Sequence, residues 1–287
     1  LIDESTGDKI SICQKLWCNP LDEYKFRIPH SRDLDKIINK IKTKGDPTLK
    51  KLYPNKNLRT CAMLLDMENI FTSEDMSKSV KSYPYYRGSS GLKYKYSKLL
   101  HSKYFNYNKE LQNRVNDKLK IELIAKGVKN KKRIGLGESI IYDYPKVYIR
   151  QSAKELIASY DEFPSAANNS LYVFSVRDDS NEAKKILKFI CGLLNSEVYT
   201  FYAQQMGIIR YKKGKQPQIK TSDLYQIFIP QDKEFRSTII DLVEKIYSDP
   251  LNIEIYKNEI DNAIYSYYLL SKKEVERVKN SIKSFLQ

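Results

Sequence analysis

Histidine and closely spaced cysteine are almost missing from this sequence. It has two histidines, His30 and His101, and four cysteines, Cys13, Cys18, Cys61 and Cys191, with no paired short spacing of the zinc type. A zinc site is thereby excluded, and the cysteines are read as reduced, structural thiols. No stretch approaches the ~18 to 20 apolar residues that cross a bilayer, and the opening residues lack a basic region followed by an apolar one. The expectation is a soluble, cytoplasmic protein with no membrane partner. Glycine is sparse at 10 residues. The cluster Gly135-Leu136-Gly137 follows Lys131, Lys132 and Arg133 rather than a buried strand, so it reads as a phosphate-contacting or flexible turn and not as a cofactor loop. Asp143 with Lys146, or Asp249 and Glu254 with Lys257, supply the residue types of a metal-dependent nuclease without its strand-borne spacing. No internal repeat or low-complexity tract occurs.

Positive charge is what the chain has in quantity. Lys and Arg total 50 against 35 Asp and Glu, a formal net charge of +15. Such a surplus points to a polyanionic partner, nucleic acid first. Tyrosine is abundant at 23 residues, and a phenol packs in a core while its hydroxyl reaches a phosphate, a base or water. AT-rich codon usage raises Lys, Asn, Ile and Tyr together, so composition leaves two readings open, a polyanion binder and lineage bias. With 287 residues, 41% of them hydrophobic, the chain suffices for one large folded domain or two ordinary ones. It opens on Leu1 with LIDESTGDKISICQ, which resembles the middle of a domain, so a fragment is expected.

Along the chain, an apolar stretch from Ile10 to Trp17 and a loop with Pro20 and Pro29 precede a helix capped near Ser31 or Asp33. Leu34, Ile37, Ile38 and Ile41 share one face of it, and Gly45 and Pro47 end it. YPYYRGSSGLKYKYSKLLHS, residues 83–102, alternates basic and aromatic residues around two glycines, the pattern of a strand entering and leaving a surface loop. Residues 109–133 read as a charged helix with Leu111, Val115, Leu119 and Leu123 at helical spacing. PKVYIRQ (145–151) and SLYVFSV (170–176) read as strands able to pair. Residues 184–206 read as one long amphipathic helix, the central support. IIRYKKGKQPQIK, residues 208–220, is a loop crowded with five basic side chains, because Gly214 and Pro217 exclude a helix. A strand, LYQIFIP (224–230), then leads to two or three terminal helices, in which Tyr265, Tyr267 and Tyr268 are assigned to core packing.

The order of five segments resembles a known family. They are PKVYIRQSAKELIASYDE (145–162), NNSLYVF (168–174), LKFICGLLNSEVYTFYAQQ (187–205), QPQIKTSDLYQIFIP (216–230) and EIDNAIYSYYLLSKKEVERV (259–278). Together they resemble the TaqI-like C-terminal specificity domain of adenine-N6 DNA methyltransferases and fused type II restriction-modification enzymes. The resemblance implies a mixed α+β target-recognition domain, a twisted β-sheet with a long supporting helix and C-terminal helices. It places that domain at residues 81–287 and makes 1–80 the connection from an upstream methyltransferase domain. It implies double-stranded DNA and that upstream domain as partners, at the bacterial nucleoid. S-adenosylmethionine is expected in the catalytic domain alone, because neither a glycine-rich cofactor loop nor an Asn-Pro-Pro-Tyr motif occurs here. No catalytic or metal-binding residue is therefore assigned.

Residue chemistry supplies the candidate contacts. Arg210, Tyr211, Lys212, Lys213, Lys215 and Lys220 are candidate DNA contacts, the basic ones able to neutralise phosphates or to donate to guanine O6 and N7. Gln216, Gln218, Asn168 and Asn169 offer the amide that pairs with adenine in the major groove. Lys93, Tyr94 and Lys95 in the aromatic stretch, with Lys146 and Arg150 on the first strand, complete the set. For each a structural alternative stands: Asn168 and Asn169 satisfying a tight turn, Lys220 a solvated charge, Asp223 a cap, and the tyrosine-lysine stretch a protected sheet edge. One of Arg150 and Gln151 is expected to be buried and paired, since alternation puts them on opposite faces. The DNA-binding part of a fused restriction endonuclease and a basic RNA- or protein-interaction module remain alternatives.

Overall fold

The computed structural model describes residues 32–128, 133–211 and 214–286. Helix α1 (Arg32–Gly45) precedes strands β1 (Leu58–Thr60), β2 (Thr72–Ser73), β3 (Lys81–Tyr86) and β4 (Lys103–Tyr107). Helix α2 (Lys109–Ala125) follows, then β5 (Lys146–Arg150), β6 (Ala158–Asp161), β7 (Ala166–Ala167) and β8 (Leu171–Phe174). Helices α3 (Asn181–Asn195) and α4 (Glu197–Gln205) lead to β9 (Ile209–Arg210) and β10 (Gln218–Ile219). Helices α5 (Lys233–Ser248), α6 (Ile253–Tyr267) and α7 (Lys272–Leu286) close the chain.

A central antiparallel sheet of order β1-β8-β5-β6 is buried on both faces, and side-chain alternation shows how. Val147, Ile149, Ala158, Tyr160, Tyr172 and Phe174 join a core with the helices. Tyr148, Leu171 and Val173 join a second core with Tyr83, Tyr85 and Phe105. Those three belong to a second sheet, order β2-β4-β3-β7, in which β3 and β7 run parallel. The architecture is thus helices, sheet and sheet, a mixed α and β fold in which the expected strands β5 and β8 do pair. Residues 32–80, expected to connect, supply α1 and Leu58 to the first core and Cys61, Ala62, Leu64 and Phe71 to the second. Cys61 and Cys191 are free and buried, and burial pushes both thiols up; Cys13 and Cys18 lie outside the described residues. No described helix is long and apolar enough to cross a membrane.

Local chemistry explains the helix ends. Asn108 caps α2 by accepting from Leu111 N at 2.9 Å, and Asp232 caps α5 by accepting from Phe235 N at 2.8 Å. Of the two cap candidates for α1, Asp33 lies inside the helix and Ser31 lies outside the described residues. Ile37, Ile38 and Ile41 are buried as expected.

Three expectations are corrected. The single helix over 184–206 is two, because Ser196 takes an extended backbone and its hydroxyl caps α4 by accepting from Tyr199 N. LYQIFIP is not a strand: Thr221–Leu224 forms a helical turn, and the rest runs beside residues 47–50 with the single bridge Thr48 to Phe228. The stretch 83–102 does lead from a strand, β3, through a surface loop to β4, but its part around Tyr94 and Tyr96 is not the protected sheet edge that stood as the alternative. Tyr96 is buried at a positive φ of 59° and donates its hydroxyl to Gly192 O, whereas Tyr94 stays exposed, so no shared aromatic face forms.

Candidate nucleic-acid interface

Residues 151–157, the connection from β5 to β6, tie together the segments that the sequence picks out. Gln151 N donates to Ser170 O at 3.0 Å, and Gln151 O accepts from Ile219 N at 2.9 Å. Ser152 Oγ donates to Pro217 O at 2.6 Å. Lys154 Nζ donates to Leu286 O at 2.6 Å and sits 4.6 Å from the centre of the Tyr211 ring, while Lys154 O accepts from Gln204 Nε2 at 2.8 Å. Lys95 pairs with Glu155 at 2.8 Å. One edge of the molecule therefore carries the Asn168-Asn169 turn, the Arg150 strand end and the segment 209–220 side by side.

That last segment, expected as a loop, is a β-hairpin. Gln218 pairs with Arg210 and Ile219 with Ile209. Period-two alternation buries both isoleucines and leaves Arg210, Gln218 and Lys220 exposed on the outer side. Gly214, at a positive φ of 77°, turns the tip, where Lys215 and Gln216 are exposed. Lys212 and Lys213 lie outside the described residues. Arg210 Nη2 lies 2.8 Å from Asp223 Oδ2, so Asp223 holds the arginine rather than capping the turn. Tyr211 packs on Phe285 with ring centres 5.7 Å apart, which makes its ring an anchor to α7.

The other candidates divide. Lys146 is corrected: it is 0% exposed, because alternation sets it beside Tyr148 between the two sheets, where its ammonium donates to Phe163 O at 2.8 Å. Burial pulls its pKa down to about 8 against the opposing charge of Asp161. No duplex can reach it. Lys95 is turned inward onto Glu155, whereas Lys93 remains exposed with its ammonium 5.1 Å from the Tyr94 ring. Asn168 Oδ1 accepts from Gly88 N and Ser170 N, both at 3.2 Å, so its amide holds the turn; Asn169 beside it is exposed. Arg150 is half-buried and donates to Ser152 O at 3.1 Å. Gln151 is half-buried as well, so alternation does not hide one of the two.

Ser152 and Lys154 escape sequence reasoning, because their partners Pro217 and Leu286 stand 65 and 132 positions away. The Gly135–Gly137 turn is corrected too. Leu136 is buried, its carbonyl accepts from Tyr142 Oη at 2.7 Å, and Gly137 O accepts from Tyr107 Oη at 3.0 Å, so the turn is packed rather than open. Among the described residues, no group of three or more His, Cys, Asp or Glu could hold a metal ion. Of the nuclease candidates, Asp143 accepts from Lys81 and Tyr83 and Asp249 from Asn252 and Tyr256.

Against known proteins, residues 83–230 match the family described as the TaqI-like C-terminal specificity domain. No curated protein matches. Among solved structures, the fold is similar to that of the type IIL restriction-modification enzyme MmeI in complex with DNA, at a TM-score of 0.51 and 11% identity, over 80% of this chain and 35% of that one. A second similar structure is the type IIG restriction endonuclease BpuSI, at a TM-score of 0.43 and 13% identity, over 88% of this chain and 32% of that one. The chain thus spans about a third of either enzyme's length. The family match takes in just over half of the residues and both strands of the hairpin, and on that ground the chain belongs to the family of the TaqI-like C-terminal specificity domain.

Proposed function

We propose that this chain reads double-stranded DNA as the target-recognition part of a restriction-modification enzyme, and that it binds without catalysing. The observation that carries the reading is the exposed hairpin whose outer side sets Arg210 directly across from Gln218, with Lys215 and Lys220 beside them. The major groove, about 12 Å wide, admits a two-stranded β-ribbon. An arginine donates to guanine O6 and N7, and a glutamine amide pairs with adenine. Lysines around them neutralise phosphates and release counterions, which gives affinity without sequence preference. The formal charge of +15 agrees with such a partner. The finer part of the proposal is that methylation falls on adenine N6, in a methyltransferase domain of the same polypeptide that binds S-adenosylmethionine.

Titration of the chain with duplex DNA, RNA and heparin at several salt concentrations tests this. The expected result is a preference for particular duplexes, drawn from a randomised pool, over scrambled controls at moderate salt. Reversing the charge of Lys212, Lys213 and Lys215 should weaken binding to all duplexes alike, whereas Gln216→Ala or Gln218→Ala should change the preferred sequence. Equal binding to RNA and heparin with no preferred duplex would overturn the proposal.

A further inference from the structure

The hairpin has a ladder of two residue pairs, too short to hold its own shape in water. Its pose is set from outside. Ser152 Oγ donates to Pro217 O at 2.6 Å, and Tyr172 Oη donates to Ile219 O at 2.6 Å. These two carbonyls stand on either side of Gln218. Between them, Ile219 N donates to Gln151 O at 2.9 Å, so the strand is pinned at consecutive peptide units. The two hydroxyls come from rigid places. Tyr172 is buried on β8, inside the central sheet, and Ser152 stands two residues past the end of β5.

We infer that Ser152 and Tyr172 are positioning residues for sequence reading: they fix the backbone on both sides of Gln218, and through the ladder Arg210, at one angle and depth. The inference rests on the reading that this hairpin meets DNA. Its physical basis is that the two kinds of contact tolerate error differently. Attraction between a lysine and a phosphate falls only inversely with distance, so a loosened hairpin keeps it. A paired hydrogen bond to a base edge weakens steeply outside a narrow range of distance and angle, so a loosened hairpin loses it. Neither Ser152 nor Tyr172 need touch DNA to decide which sequence is bound.

The test uses the 287-residue chain, the duplex it selects from a randomised pool and a scrambled duplex, both titrated at several salt concentrations. In Ser152→Ala and in Tyr172→Phe, the ratio of the two affinities should fall about tenfold, the loss of one base contact. Affinity for the scrambled duplex and the slope of affinity against salt should stay unchanged. Ser152→Thr keeps a hydroxyl and should restore the ratio. If Tyr172→Phe fails to fold, the two Ser152 variants decide. An unchanged ratio in a folded Ser152→Ala overturns the inference, as does a parallel loss for both duplexes. If the wild-type chain selects no duplex at all, the reading of the interface has failed and the inference falls with it.

Discussion

Asp223 holds the guanidinium of Arg210 at 2.8 Å, and the aspartate is the more buried partner, its side chain 15% exposed against 49% for the arginine. The pair fixes where the arginine points and also cancels its charge. An ion pair this open contributes about 1 kcal/mol or less to stability, so its main effect is on the direction of the arginine.

Asp223→Ala should therefore fold normally and bind DNA differently. With the carboxylate gone, Arg210 becomes a mobile cation. Affinity for scrambled duplex should rise several-fold and its salt dependence should steepen by about one counterion. Discrimination between selected and scrambled duplex should fall. Titrations at several salt concentrations measure both, and an unchanged salt dependence would mean that Arg210 faces no phosphate.

Lys146 is expected to matter for stability and not for DNA. Its ammonium and the Asp161 carboxylate share Ser165, whose hydroxyl donates to Asp161 Oδ2 at 2.6 Å and accepts from Lys146 Nζ at 3.4 Å. Lys146→Met leaves a buried carboxylate without its cation, a loss of about 3 kcal/mol. The pH dependence has a definite sign. The folded pKa of about 8 lies below the ordinary lysine value of 10.5, so the unfolded chain binds more protons between the two. The lysine's contribution is therefore complete above the unfolded value and is lost as pH falls through about 8. The gap in urea midpoint between wild type and variant should widen between pH 7 and pH 9, by about 1 kcal/mol. The buried thiols act in the opposite direction, and taking the difference removes the part due to Cys191, which lies outside the surroundings of Lys146.

How much of this was legible depends on how far apart the deciding residues are. The isoleucines of α1 and the pairing strands β5 and β8 show in the sequence because their period lies within a few neighbouring positions. The break at Ser196 does not show, since apolar spacing continues from Leu194 to Val198 and a serine can also sit inside a helix. Lys146 reads as an exposed strand residue until a second sheet, built from residues 72–107 and 166–167, covers that face. The basic and amide residues at 208–220 were recognisable from their types. Their hairpin geometry and its hydroxyl anchors were not, because Ser152 and Tyr172 are distant in sequence.

Asp261 supplies a pH dependence of opposite sign. Its Oδ1 accepts from Glu197 N at 2.7 Å, at the start of α4. Burial, with the neighbouring Glu197 charge, raises its pKa from 3.8 to about 7. The folded chain then binds the extra proton, so this contribution is complete below about 4 and is lost as pH rises through about 7. Asp261→Asn keeps an acceptor for Glu197 N and removes the charge. Thermal unfolding should show a gain that is about 2.5 kcal/mol larger at pH 8 than at pH 5. Equal effects at both pH values would place the origin elsewhere.

Gly192 decides how closely α3 and α5 approach. A Cβ there would meet Ile239 Cγ2 at 2.6 Å and Val243 Cγ2 at 3.0 Å, both on buried side chains of α5. β-branched side chains in a helix have almost no alternative rotamer, so the helices must part instead. Helix α3 also carries Asn195, which bonds both backbone groups of Ala158 at 2.8 and 2.9 Å where β6 leaves the 151–157 connection. Gly192→Ala should destabilise by about 1 to 2 kcal/mol, overpacking outweighing the gain in helix propensity. Ile239→Ala removes the clashing methyl, so the double variant should be less destabilised than the two single losses added together. Denaturant midpoints of the four proteins measure this, and simple additivity would show that the contact does not set the spacing.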